Sequence, residues 1–243
     1  MPRFLVLFAR EPRAQAREKG LASPAAASLF RDLAAGWIEA ARAAGAAVIV
    51  SAPPEDLPGW RRSLRGHPGL LWFAQRGSTL GARLEDSARR AAGLGGHAVM
   101  AGGDVPPSEA ALRDAFEALE AGAAAVLSPA VDGGVSLLAL SEEDLDVLGR
   151  IRPRRRTVLR ELLRELRLRG RRVALVEPAA DLDGRRRLRP FLRLLPAGST
   201  LRCLVRLLLA RPVALDGRRP AFLASRGLVT PCGLRAPPVL LAA

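Results

Sequence analysis

The sequence predicts an α/β protein, a mostly parallel sheet with helices on both faces. Two patterns carry that expectation. Short apolar runs of strand length alternate with longer stretches at helical spacing, the pattern of parallel strands joined by crossover helices. Proline, glycine and small polar residues then fall at the junctions, where helices start and stop. A length of 243 residues with 49% apolar content suits one packed domain with a modest appendage.

The elements follow in order. Residues 4–8 (FLVLF) read as a first buried strand, too short for a secretory h-region. A loop is expected over 9–23, and Pro24 opens an alanine-rich helix ending near Gly45. Strands are expected at 47–50 and, after a segment broken by proline and glycine, at 70–74. Residues 80–92 have helical spacing, and 98–101 form a short buried strand. The next helix starts at Pro107-Ser108-Glu109, where proline and an early acid suit the N-terminal dipole, and stops at Gly122. Strands at 124–127 and 136–140 flank Asp132-Gly133-Gly134; a basic helix spans 157–169, and 173–176 is the last strand. The character changes near Gly184, so residues 1–190 are expected to form the main domain, and 191–243 a C-terminal appendage packed on it. Within that appendage, 201–209 is strongly apolar with Arg202 and Arg206 one turn apart. No internal repeat is visible.

Composition excludes several classes. No apolar run is long enough to cross a bilayer. Cys203 and Cys232 make neither a disulfide framework nor a four-cysteine metal site, so a cytoplasmic protein is expected. His67 and His97 are the only histidines, too few for a histidine-based zinc site, and Ser63, Ser78 and Ser87 lie in no nucleophile elbow. Trp37, Trp60 and Trp72 are spaced as core anchors, and the glycines of 93–96 read as a helix C-cap. The formal charge is +14, concentrated between residues 150 and 219, where 21 arginines face six acids. Such a stripe attracts phosphates or an anionic membrane surface, or else it is a set of solvated helix faces in an arginine-biased chain. No DNA- or RNA-reading motif accompanies it, so sequence-specific nucleic-acid binding is not expected.

Ligands of open α/β sheets bind beyond the carboxyl ends of the strands. The loop after the first strand, Gly102-Gly103-Asp104-Val105-Pro106 after the fourth, and Asp181-Leu182-Asp183 after the last all fall there. Asp104 and Asp183 could supply the carboxylate pair a hard cation such as Mg²⁺ or Mn²⁺ takes beside substrate phosphates. Each is also readable as a turn residue, and Asp104, three residues before Pro107, as a helix cap.

Gln75-x-Gly77-x-x-Leu80-Gly81-x-Arg83-Leu84, Gly103-Asp104-x-Pro106, Asp132-Gly133-Gly134 and Asp181-x-Asp183 come in a telling order and spacing. Together they resemble a bacterial family of GT-A type glycosyltransferases or nucleotide-diphospho-sugar transferases. That family is often associated with radical-SAM proteins and is similar to the molybdenum-cofactor and phospholactate guanylyltransferases. The resemblance runs over roughly residues 4–190. It implies a Rossmann-like GT-A fold, a nucleoside triphosphate or nucleotide-sugar donor, and a divalent metal. Asp104 matches the aspartate of the family's G-S-D-x-P motif and Asp183 that of D-x-D-T-P, which makes both metal ligands by resemblance. Gly133 and Gly134 match the turn lining the acceptor side.

The chain departs from that pattern in three places. Where the family carries P-G-x-x-K-T-R-L, residues 14–21 read AQAREKGL, so Glu18 stands at the expected lysine and Gly20 at the expected arginine. Pro153-Arg154-Arg155 replaces a W-S-T segment, and Val135 replaces an aromatic residue. Three readings stay open: a re-registered loop using Lys19, a different ligand, or lost catalysis. Arg10, Arg13 and Arg17 crowd the same loop and could grip phosphate bidentately. The expectation is a metal-dependent transferase moving a glycosyl or nucleotidyl group to a small or lipid-linked acceptor. Asp104 and Asp183 would hold the metal, and Lys19, Arg10, Arg13, Arg17, Gln75, Gly77, Arg83, Asp132, Gly133 and Gly134 the substrate. The enzyme would be cytoplasmic, with the arginine stripe able to place it at the inner membrane face. The alternative is a catalytically lapsed domain kept as a binding or scaffold protein.

Overall fold

A computed structural model describes residues 1–150 and 157–210. The strands are β1 (Arg3–Phe8), β2 (Ala47–Ala52), β3 (Leu71–Ala74), β4 (His97–Gly102), β5 (Ala125–Pro129), β6 (Val135–Leu140) and β7 (Val173–Leu175). They form one sheet in the order β3-β2-β1-β4-β6-β5-β7. All neighbours pair in parallel except β6, which runs antiparallel to both β4 and β5. The expected mostly parallel α/β sheet is therefore present, with β6 as its one antiparallel strand. The chain winds outward from β1 to β3, then returns to β4 on the other side of β1. That reversal opens a crevice at the carboxyl ends of β1 and β4.

The helices are α1 (Pro12–Glu18), α2 (Pro24–Ala43), α3 (Leu57–Ser63), α4 (Leu80–Ala92), α5 (Glu109–Glu120), α6 (Val147–Arg150), α7 (Val158–Leu168), α8 (Leu188–Leu194) and α9 (Thr200–Ala210). One sheet face buries Leu5, Leu7 and Val50 against Trp37, Ile38, Leu112 and Phe116 of α2 and α5. The other buries Val6, Ile49 and Leu127 against Ala88, Ala91, Leu162 and Leu166 of α4 and α7. A third cluster joins Leu29, Phe30 and Leu33 of α2 to Leu188, Phe191, Val205 and Leu208 of α8 and α9. The apolar stretch over 201–209 is thus a helix whose inner face packs into this third cluster. The boundary drawn at 190/191 falls inside α8, and what was expected beyond residue 210 lies outside the described residues.

Two expectations need correction. The loop expected over 9–23 contains α1: Pro12 sits in its first turn, and the Glu11 carboxylate accepts from the backbone N–H groups of Arg13 and Ala14. The broken segment before β3 contains α3, a short helix that buries Trp60. Both helices have seven residues, too few to show a helical period clearly. The remaining long helices and strands lie within a few residues of their expected bounds, and Gly93 is the C-cap of α4 as expected.

Candidate metal and diphosphate site

Four loops meet at the carboxyl-end rim, and each is tied to the fold. After β1 the chain enters α1, whose C-cap is Lys19. After β4 come Gly102 and Gly103. A Cβ on Gly103 would stand 2.5 Å from the Cβ of Ala9, and one on Gly102 would stand 2.8 Å from the Asp104 carboxylate. Glycine at both positions lets this loop pass β1 and turn Asp104 into the crevice. The Val105 carbonyl accepts from the buried Trp37 indole at 3.0 Å. Ser108, not Asp104, caps α5 through the N–H of Ala111, so the capping role weighed for Asp104 is filled by another residue. After β7, the Leu182 N–H donates to the Asp104 carbonyl at 2.9 Å and draws the two acidic loops together. The β5–β6 turn supplies Asp132, whose carboxylate accepts from the Gly134 N–H at 3.0 Å.

These loops bring Asp104 and Asp183 to one rim, together with a third carboxylate, Asp181. One oxygen from each of Asp104, Asp181 and Asp183 lies within 4.8 Å of the others. Lys19 reaches into the same group: its Nζ lies 2.6 Å from Asp104 Oδ2 and is hydrogen-bonded to Asp183 Oδ1. The Lys19 and Asp104 side chains are only 15% and 17% exposed, Asp183 53%. Burial alone would lower the Lys19 pKa, but Asp104 and Asp183 outweigh it and hold the ammonium above the usual lysine value. Among the described residues Asp181 has no such partner. Burial, then Asp132, Asp104 and Asp183, push its carboxyl up to about 6, and its buried Oδ1 accepts no hydrogen bond from any described residue. An orphaned carboxylate oxygen beside two other carboxylates is a donor set that fits a hard divalent cation.

The rim opens on a cleft of about 670 Å³ whose lining includes Arg10, Gln75, Arg83, Asp132 and Gly134. Arg83 lines it without a carboxylate partner among the described residues, and its Nε is buried with no hydrogen bond. Gln75 is fixed by its amide donating to the Ser51 carbonyl at 2.9 Å. Arg10 lines the cleft too, but its guanidinium is held by Asp56 at 2.6 Å. Arg13 and Arg17 are not brought there: α1 turns both to its exposed side, four residues apart on one face. Gly77 and Gly133 shape turns and are not lining residues, with φ of +125° and +89°. Pro153-Arg154-Arg155 lies outside the described residues.

Asp181 was visible within its motif but not singled out. Its signal is the i, i+2 spacing, which in an extended loop points both side chains to one side.

Comparison with known proteins bears on the fold. Residues 37–153 match the family model described as "Uncharacterized protein conserved in bacteria (DUF2064)". No curated protein matches the sequence. Among solved structures, the chain is similar to a proposed nucleotide-diphospho-sugar transferase from Desulfovibrio desulfuricans G20. There the TM-score is 0.69 and the identity 22%, over 85% of this chain and 95% of that one. It is also similar to the inositol-1-phosphate CTP transferase from T. maritima, with TM-score 0.54 and 9% identity over 86% and 97% of the two chains. Rv0371c from Mycobacterium tuberculosis H37Rv, in complex with manganese, aligns with TM-score 0.50 and 16% identity over 80% and 100%. At these identities the likeness is one of fold. A segment of the chain thus matches the DUF2064 model, and the chain shares its fold with these solved structures.

Proposed function

We propose that this rim binds the diphosphate of a nucleoside triphosphate or nucleotide sugar through Mg²⁺ or Mn²⁺, and that the protein transfers a glycosyl or nucleotidyl group. The observation that carries the reading is the convergence of Asp104, Asp181 and Asp183 within 4.8 Å at the crevice of the sheet. Asp104 and Asp183 would hold the cation, with Asp181 completing the set. When bound, the cation neutralises a diphosphate and stabilises it as a leaving group. The chain's own part is positioning. Lys19 and Arg83 present positive charge to the phosphates, and Gly134 lets the backbone approach the ligand on the acceptor side. Gln75, held against Ser51, offers a fixed amide in the lining of the cleft.

The acceptor is a small or lipid-linked molecule, and the protein works in the cytoplasm, peripheral to the inner membrane face. Residues 184–210 support the second part: they hold seven arginines and no acid. With the inner faces of α8 and α9 packed on α2, Arg189, Arg193, Leu194, Arg206 and Leu207 are left exposed. No helix among the described residues is long and apolar enough to cross a membrane.

A thermal-shift screen of nucleotides and nucleotide sugars with Mn²⁺ tests the reading. A ligand that binds only the folded state raises the melting temperature. A rise that needs both nucleotide and metal is expected. No rise with any nucleotide would favour the lapsed, non-catalytic domain.

A further inference from the structure

Lys19 stands where the cation of the proposed reading would stand. Its Nζ contacts Asp104 and Asp183, two of the three carboxylates that could share a metal. An ammonium seated between these two oxygens competes with a divalent ion for them. The backbone beneath the lysine is fixed. The Lys19 N–H donates to the Gln15 carbonyl at 3.0 Å, the Leu21 N–H donates to Ala16 at 2.8 Å, and the Gly184 loop packs against the Lys19 carbonyl. Only the side chain has room to yield, and a four-carbon stem can move its charge several ångströms without backbone motion. The cleft it would turn into is the one lined by Arg83.

We infer that Lys19 is an exchangeable counter-ion that couples metal to nucleotide. In the free protein it fills the cation seat and keeps metal affinity low. When a nucleoside diphosphate arrives, its phosphates take the ammonium and free Asp104 and Asp183 for the metal. Metal and nucleotide therefore load together, and because such coupling is reciprocal each raises affinity for the other. The residue type fits the task. This is the only lysine in an arginine-rich chain, and a lysine is a compact point charge, whereas an arginine would clamp a carboxylate through a planar two-pronged contact. The inference rests on the metal site proposed above.

Mn²⁺ binding to the full chain, read by electron paramagnetic resonance, tests it in the wild type, Lys19→Met and Lys19→Arg. Without nucleotide, Lys19→Met is expected to bind Mn²⁺ at least ten-fold more tightly than wild type, while Lys19→Arg stays weak. A nucleoside diphosphate should raise Mn²⁺ affinity more in wild type than in Lys19→Met. Chelation of free metal by the diphosphate is common to both and cancels. Should Lys19→Met fail to fold, the Nζ resonance of ¹⁵N-lysine-labelled wild type, which carries one lysine, answers the same question. It should hold still under Mg²⁺ alone and move when the diphosphate is added with it. Equal nucleotide-free Mn²⁺ affinity in wild type and Lys19→Met, or an Nζ signal that Mg²⁺ alone displaces as readily, overturns the exchange while leaving the metal site standing. Absence of Mn²⁺ binding in every variant, with nucleotide present, removes the metal site and the exchange with it.

Discussion

Two groups of acids occupy opposite ends of the sheet, and their charge is met differently. At the end away from the crevice, Glu143, Asp144 and Asp146 face Arg150, Arg169 and Arg171. Asp144 is fully buried, and although burial alone would raise its pKa, Ser141, Arg169 and Arg171 hold the carboxyl below its usual range. Each acid there has an arginine. At the crevice, one lysine pairs with Asp104 and Asp183 only, and Asp181 is left with a raised pKa and an orphaned oxygen. A balanced cluster is a fastening; an unbalanced one in a cleft has room for a positively charged ligand. Burial alone would not tell them apart, since each group holds both sheltered and exposed acids.

The contrast can be broken from both sides. The largest effect is expected from Asp104→Ala, which should lower Mn²⁺-dependent nucleotide affinity on the order of a hundred-fold with the fold intact. Calorimetry with Mn²⁺ present checks it, and an unchanged affinity would take Asp104 out of the site. Next comes Asp144→Ala, which strips two arginines of a buried partner. With those arginines partly exposed, the loss is expected at about 2–3 kcal/mol in urea unfolding, with nucleotide affinity unaltered.

Asp181→Asn should act in the opposite direction and more weakly. An unfolded aspartate titrates near 4, roughly two units below the folded value of about 6. Between those values the unfolded state releases a proton that the folded state keeps, so wild-type stability falls as pH rises through that window and stays lower above it. The asparagine variant should be more stable than wild type by about 1–2 kcal/mol at pH 7, and the gain should vanish below roughly pH 4. A gain that persists at low pH would mean the carboxyl is not strained. The smallest effect is expected from Arg13→Ala and Arg17→Ala, both on the outer side of α1: nucleotide affinity should stay within about two-fold.

The contrast also explains what the sequence could tell. The sheet, its long helices and the meeting of Asp104 with Asp183 were legible, because apolar periodicity marks elements and motifs after strands mark the carboxyl-end rim. The antiparallel insertion of β6 between β4 and β5 was not, since strand order depends on long-range pairing that no local pattern carries. Reading 9–23 as a loop put Arg10, Arg13 and Arg17 together; α1 separates them, because helical geometry sends residues 13 and 17 outward while Asp56 holds Arg10. Glu11 hid that helix, because glutamate is not among the favoured N-cap residues. Asp181 was missed as a site residue because its raised pKa comes from burial in the tertiary fold and from neighbours 49 and 77 residues away in sequence, Asp132 and Asp104.

The most direct measurement is anomalous diffraction at the manganese edge from crystals grown with Mn²⁺ and a nucleoside diphosphate. One manganese peak bonded to carboxylate oxygens of both Asp104 and Asp183, with Lys19 turned toward the phosphates, is the expected result. A nucleotide bound in the cleft with Lys19 still between the two carboxylates and no manganese peak there would contradict it.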